Sequence, residues 1–238
     1  MGCLFPGAQG LQAYWRLIRA SEDGVTDVPD THWSLEDYFD PDPGRADLTY
    51  CRRGAFLSAT DFDPTEFGIP PTALEATDTA QLLGLVVAKA ALEDAGYGVD
   101  RDFDRARTSV LLGVTGTQEL VIPLGARLGH PMWRRAMRAA GVSEDVAQTV
   151  IGTMADAYVP WQENSFPGLL GNVVAGRVAN RLNLRGTNCV VDAACASSLS
   201  AVHLALLELS TGRTDMVVSG GVDALNDIFM FMCFSKTQ

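Results

Sequence analysis

Apolar positions recur along this chain in three distinct rhythms, and each predicts a different element. Over residues 9–20, Leu11, Trp15 and Ile18 recur at helical spacing, which predicts an amphipathic helix with those three on its inner face. Asp78-Thr-Ala-Gln81 has the form of a capping box and opens a second helix through Leu82, Val86 and Ala90 to Ala95, with Gly96 as its stop. Thr108–Val114 and residues 215–219 are short, continuous apolar runs of the kind found in strands buried on both faces. Pro167 fits the first turn of a further helix reaching about Leu182. Thr187–Asp192, rich in β-branched residues, predicts a strand, and Ser197–Leu209 a helix closed by Gly212. Leu199, Val202, Leu204, Leu206, Leu207 and Leu209 surround that last helix almost completely, so it is expected to be buried. Strands alternating with helices predict an α/β layered architecture.

Between these runs, residues 21–71 carry many Asp and Pro and no sustained periodicity. A structureless insert of that length is uncommon, so short strands or turns fastened to the body are expected there. The same region explains the charge. The chain of 238 residues has a net charge of −11, and residues 21–104 hold 19 acids against 5 bases. A nucleic-acid partner, which needs a basic face, is therefore not expected. Hydrophobic residues make up 47% of the chain, enough for a sizeable core, yet Asp192 interrupts the richest apolar stretch and no membrane span is expected. Met1-Gly2-Cys3 is not a myristoylation signal, because Pro6 occupies the position that needs Ser or Thr.

Five cysteines, at positions 3, 51, 189, 195 and 233, include no C-x-x-C pair. Neither a disulfide framework nor a zinc site is suggested, and a reducing cytoplasm fits best. Cys195 stands apart because a strand runs into it and a helix opens after it, in Thr187-Asn-Cys-Val-Val-Asp-Ala-Ala-Cys195-Ala-Ser-Ser-Leu199. Unpaired N–H groups and the positive end of a helix dipole favour thiolate at such a place, and the same N–H groups can hold an oxyanion. From the residues alone, Cys195 is either a nucleophile of this kind or a small buried hydrophobe. Cys189, within the strand, is expected only to pack.

Val191-Asp-Ala-Ala-Cys-Ala-Ser-Ser-Leu199 resembles the active-site elbow of the β-ketoacyl synthases. Other segments match that family in the same order: Met1-Gly-Cys-Leu-Phe-Pro-Gly-Ala8, Ala91-Leu-Glu-Asp-Ala-Gly96, Ala175-Gly-Arg177 and Gly220-Gly221. Tyr50-Cys-Arg-Arg-Gly54, Pro160-Trp-Gln-Glu-Asn-Ser-Phe-Pro-Gly168 and Asp192-Ala-Ala-Cys195 look most like synthases of polyunsaturated-fatty-acid and lipid-polyketide megasynthases, although the commoner polyketide version has Thr at Ala193 and Ser at Ala196. The resemblance implies a thiolase-like layered fold, with residues 1–238 as the N-terminal half of a condensing enzyme, cut at both ends. It implies Cys195 as the acyl-accepting nucleophile in a decarboxylative Claisen condensation with a malonyl thioester. It also implies an acyl carrier protein domain bearing acyl and malonyl thioesters as partner, a homodimer, and no metal or organic cofactor.

Family members use two histidines for decarboxylation and condensation. His203 lies eight residues after Cys195, about 12 Å along a helix, too far for a direct partner. His32 and His130 sit in stretches read as irregular, outside any catalytic motif of the family, so the pair is expected beyond Gln238. Arg177, Arg181 and Arg185 share a helical face if the helix extends that far, where they either face an acidic carrier or are ordinary surface arginines. Phe166–Val174 lies where these synthases form the acyl pocket and dimer contact, though core packing explains its apolar character equally well. Gly113-Val-Thr-Gly116 lacks the Lys-Ser/Thr ending of a phosphate loop. Two rival functions follow the same residues: a non-catalytic, chain-length-factor-like dimer partner, against which Cys195 itself argues, and a cysteine-dependent α/β hydrolase. The hydrolase would want glycines where Ala193 and Ser197 stand.

Overall fold

In the computed structural model, which describes residues 1–98, 101–116 and 119–237, the acidic, proline-rich start of the chain is held by short pairings rather than by a sheet of its own. The chain divides into two compact units. The first comprises Met1–Phe62, Val86–Asp104 and Ala224–Gln238, and the second Asp63–Leu85 and Arg105–Asp223.

In the first unit, β1 (Leu4–Phe5) pairs antiparallel with β2 (Ala8–Gln9) across a turn in which Gly7 takes φ 72°. Helix α1 (Leu11–Ala20) follows. Its expected inner face is only partly correct: Leu11 is half-buried, but Trp15 and Ile18 are 59% and 50% exposed. The β1–β2 hairpin chooses the face, because Phe5 stacks on Tyr14 at 4.2 Å between ring centroids and Leu17 lies beside Gly7, which leaves the 15/18 side to solvent. Residues 21–71 form the short fastened elements expected of them. β3 (Thr26–Asp27) pairs antiparallel with β4 (Arg53–Gly54), and α2 (Leu35–Tyr38) between them is N-capped by Ser34, whose Oγ accepts from the Asp37 N–H. Val28, Trp33 and Phe231 form the core of this unit, with Leu35, Phe39, Phe56 and Ile228 packed around them. Phe231 and Ile228 come from α9 (Ile228–Lys236), N-capped by Asp227 and tied to the loop by a buried 2.6 Å hydrogen bond between Thr49 and Ser235.

Helix α3 (Thr79–Asp94) starts and stops where its sequence signals place it: Asp78 Oδ1 accepts from the Ala80 N–H at 2.9 Å, and Gly96 takes φ 79° just past the end. The reciprocal half of the capping box does not form. The Asp78 N–H donates instead to the Gly168 carbonyl, and Gln81, fully buried, turns its Nε2 to the carbonyls of Pro167, Gly168 and Leu170.

The second unit is built on three parallel strands in the order β6-β5-β7. The central strand, β5 (Thr108–Gly113), is buried at every position, as a doubly covered strand must be. β6 (Asn188–Val191) and β7 (Met216–Gly221) flank it in register, so that Gly113 pairs with both Val191 and Gly221 and all three strands end level. Helix α4 (Val121–Ala139) and α5 (Glu144–Asp156) form a hairpin that the sequence reading leaves unassigned. Arg127 closes it by donating to the carbonyls of Ala155 and Tyr158. Arg138 and Arg134 pair with Glu144, holding its carboxyl down at about 2. His130 thus lies in a helix rather than an irregular segment, with Pro131 inside the same helix.

The single helix expected from Pro167 to about Leu182 is two, α6 (Ser165–Leu169) and α7 (Asn172–Arg181). Gln81 takes carbonyls the continuous helix would use, and Gly168 sits so close to the Ala76 carbonyl that a Cβ would lie 1.8 Å from its oxygen, so the chain is drawn aside there. Because α7 ends at Arg181, with Asn183 left-handed at φ 54°, Arg185 does not share a helical face with Arg177 and Arg181. Helix α8 (Ser197–Ser210) packs against β5 and β7 through Ala201 and Ala205. The expectation that it is buried all round fails: Leu199 is 74% and Leu206 60% exposed. Small residues face the sheet, and among the described residues the leucine side stays exposed. Among the described residues no helix is long and apolar enough to cross a membrane.

Candidate active site

β6 delivers the chain to the carboxyl end of the sheet at Val191, and a tight turn then reverses it into α8. Such an edge, outside the carboxyl ends of parallel strands, is where open α/β folds place their chemistry. Asp192 starts the turn by accepting the Ala194 N–H on Oδ1 at 3.0 Å. Ala194 takes φ 49°, a left-handed conformation that a residue with a Cβ adopts only where its surroundings enforce it. Cys195 is the middle residue of the 3-10 turn Ala194–Ala196 that leads into α8, and it is exposed.

The turn is fastened from below. Ser197, 5% exposed, accepts the Ala193 N–H on its hydroxyl at 2.9 Å and donates to the Ala194 carbonyl at 2.6 Å. Thr115, just past β5, has its Oγ1 at 3.2 Å from the Ser197 hydroxyl and 3.4 Å from the Ala194 carbonyl oxygen. The Ala196 N–H donates to Ala193. Of the N–H groups of residues 193–196, only that of Cys195 has no acceptor among the described residues. Two glycines bring the helix this close to the sheet. A Cβ on Gly113 would stand 2.4 Å from the Ser197 carbonyl carbon, and one on Gly221 would stand 2.8 Å from the Ser198 Cβ.

An open cavity of about 380 Å³ lies alongside, lined by Val191, Ala196, Leu199, Ser200, His203 and Leu204. His203 is exposed on α8, two turns beyond the cysteine, and lines this cavity rather than packing inside. His32 lies edge-on to Phe56 at 4.7 Å and His130 tilts against Trp133 at 5.5 Å. Cys189 is half-buried in β6, and burial, with Glu208 nearby, pushes its thiol up. Arg177 is occupied within its unit, donating from Nε to Gln81 Oε1 at 2.9 Å. Among the described residues no group of three His, Cys, Asp or Glu could hold a metal ion.

Cys195 was legible in the sequence, while the lock beneath it was not. Ser197 reads as one of two serines starting a helix, and Thr115 as part of a failed phosphate loop. The pair of glycines at the ends of β5 and β7 was the available signal, since both mark a close backbone approach.

A cysteine presented on a strained turn at the carboxyl end of a parallel sheet, with a helix opening beneath it, is the architecture of thiolase-like condensing enzymes. The chain belongs to the β-ketoacyl synthase family, whose N-terminal domain matches residues 1–238. It is 38% identical over 237 residues to a polyunsaturated fatty acid synthase polypeptide from Thraustochytrium sp., covering all of this chain and 8% of that protein. It is 35% identical to a phenolphthiocerol synthesis polyketide synthase of Mycobacterium marinum, of which it spans 10%. Among solved structures, the oxazolomycin ketosynthase domain from Streptomyces albus JA3453 superposes with a TM-score of 0.72 at 25% identity, covering 98% of this chain and 35% of that one. The ketosynthase from module 6 of the Bacillus subtilis 168 bacillaene synthase superposes with a TM-score of 0.73 at 25% identity, covering 98% and 33%. The chain thus spans about a third of these ketosynthases and a tenth or less of the two synthases.

Proposed function

We propose that this chain supplies the acyl-accepting nucleophile of a decarboxylative Claisen condensation in polyunsaturated-fatty-acid or polyketide assembly. The observation that carries the reading is Cys195: exposed, on an enforced turn, with its own backbone N–H unengaged among the described residues. The Cys195 thiolate attacks the carbonyl carbon of an acyl thioester, and the N–H of Cys195 donates to the oxyanion that forms. Collapse of that intermediate expels the carrier thiolate, which takes up a proton, and leaves the acyl group on sulfur. A malonyl thioester then loses CO2, its carbanion attacks the acyl carbonyl, and the Cys195 thiolate leaves as the 3-ketoacyl thioester forms. His32, His130 and His203 are given no part in these steps.

An acyl carrier protein domain is the partner this chemistry needs, since it presents both thioesters. A homodimer is supported by β6, an edge strand whose outer backbone groups are unpaired within the sheet. A cytoplasmic location is supported by five free cysteines.

The test uses the complete synthase domain with an acyl thioester and a labelled malonyl thioester. Wild type should release CO2 and form the 3-ketoacyl product, and Cys195→Ala should remain folded and form none. Elongation by the variant at the wild-type rate would refute the reading, and release of free acid without malonyl consumption would make it a hydrolase.

A further inference from the structure

Four atoms beneath Cys195 do more than hold a turn together. Peptide groups are planar and trans, so the carbonyl of Ala194 and the N–H of Cys195 point in opposite directions from one shared plane. Whatever fixes the first aims the second. The Ala194 carbonyl is fixed by Ser197, whose hydroxyl donates to it at 2.6 Å from a buried position and whose backbone N–H donates to it as well. We infer that Ser197, braced by Thr115, is the positioning residue that turns the Cys195 N–H outward, towards the place where the acyl oxyanion forms. The inference rests on Cys195 being the acyl-accepting nucleophile.

Proton accounting supports the division of labour. A serine hydroxyl has one hydrogen and two lone pairs. Ser197 spends its hydrogen on the Ala194 carbonyl and accepts the Ala193 N–H at 2.9 Å, which leaves one lone pair. Thr115 must therefore be the donor in its 3.2 Å contact with Ser197, or else share the Ala194 carbonyl at 3.4 Å. Either arrangement braces the peptide group that the Ser197 hydroxyl and backbone N–H already hold. The alternative role for a serine at the start of a helix is capping, but α8 has no side-chain cap bond at its N-cap, Ala196. The Ser197 hydroxyl is directed back into the turn instead. Its own backbone cannot drift, because Gly113 admits it to within contact of β5. The buried end is thus rigid and the exposed end carries the donor, as an oxyanion site requires.

The claim separates two reactions of the same thiol. Alkylation by iodoacetamide displaces iodide and forms no oxyanion, whereas acylation by a thioester passes through one. The experiment compares the two rates at Cys195 in the complete synthase domain, across pH, for wild type, Ser197→Ala, Ser197→Thr and Thr115→Val. Ser197→Ala should slow single-turnover acylation about 30-fold, less than the 10²–10³ that loss of an oxyanion donor costs, because the N–H is misdirected rather than removed. Its alkylation rate and pH profile should stay within about threefold of wild type. Ser197→Thr keeps the hydroxyl and should recover acylation to within about fivefold, and Thr115→Val should lose several-fold in acylation only. Acylation of Ser197→Ala at the wild-type rate, or a parallel fall in both reactions, overturns the inference. Should Ser197→Ala fail to fold, Thr115→Val decides: a selective loss of acylation supports the role and an unchanged rate refutes it. A wild-type acyl group mapped to another cysteine is a different result, and it refutes the nucleophile assignment itself.

Discussion

Asp78 shows how one side chain serves two segments at a cost. It is 3% exposed, and its carboxylate accepts the N–H of Ala80 at 2.9 Å and that of Glu119 at 3.2 Å, so it caps α3 and also holds the chain just ahead of α4. Burial raises its carboxyl to about 6 from the usual 3.8, with the Glu119 charge adding to the rise and the two backbone donors opposing it. Because the folded value lies above the unfolded one, the folded chain binds the extra proton between those two pH values. The stability contributed by that proton is complete below about pH 4 and is lost as pH rises through about 6. Asp78→Asn has no such proton. The unfolding free energy of wild type minus that of Asp78→Asn, measured by urea titration of the complete domain, should fall as pH rises from 4 to 6 and level off above; a flat difference would contradict the assignment. At this scale the sequence is a good guide to local turns and caps and a poor guide to contacts between distant positions. Cys195 and the Asp78 cap are read from local pattern, because a strand-to-helix junction and an N-cap are local events. Ser197 and Thr115 meet across 82 positions, and no periodicity records that.

Among the elements, α6 and α7 show a local signal overruled by a distant side chain. Pro167 and the apolar run after it support one helix, yet Gln81 draws three carbonyls out of it, and Arg177 in turn fixes the Gln81 oxygen. Gln81→Leu would leave the Arg177 Nε–H without its acceptor and take one donor from each of three carbonyls that keep a backbone partner. An unsatisfied buried group costs about 1–3 kcal/mol, so a loss of about that size is expected. The measurement is the urea midpoint of the complete domain, with an unchanged slope showing that the folded and unfolded states are otherwise the same. A loss below about 1 kcal/mol would mean that water replaces the amide. The α4–α5 hairpin escaped the sequence reading for a related reason. Gly129 and Pro131 punctuate α4 as if it were a loop, while the Arg127 bonds to Ala155 and Tyr158 that close the hairpin span about 30 positions.

For the whole molecule, the strands β5, β6 and β7 and the α/β class followed from sequence, because continuous apolar runs and alternating elements survive without tertiary information. Strand order did not, since placing β5 between β6 and β7 is a matter of packing. The exposure of α8 is instructive in the same way. Apolar residues on all sides of α8 predict a buried helix, but among the described residues the sheet receives Ala201, Ala205 and their neighbours, and the leucine face stays open. Three of the five thiols, Cys51, Cys195 and Cys233, are exposed, so access alone does not choose among them. The enforced turn, and an N–H with no acceptor among the described residues, distinguish Cys195. The most direct measurement is therefore peptide mapping by mass spectrometry after a brief single-turnover exposure of the complete synthase domain to an acyl thioester. The acyl group should be found on Cys195 and be absent from that peptide in Cys195→Ala. An acyl group on Cys3, Cys51, Cys189 or Cys233, with Cys195 unmodified, would contradict the account.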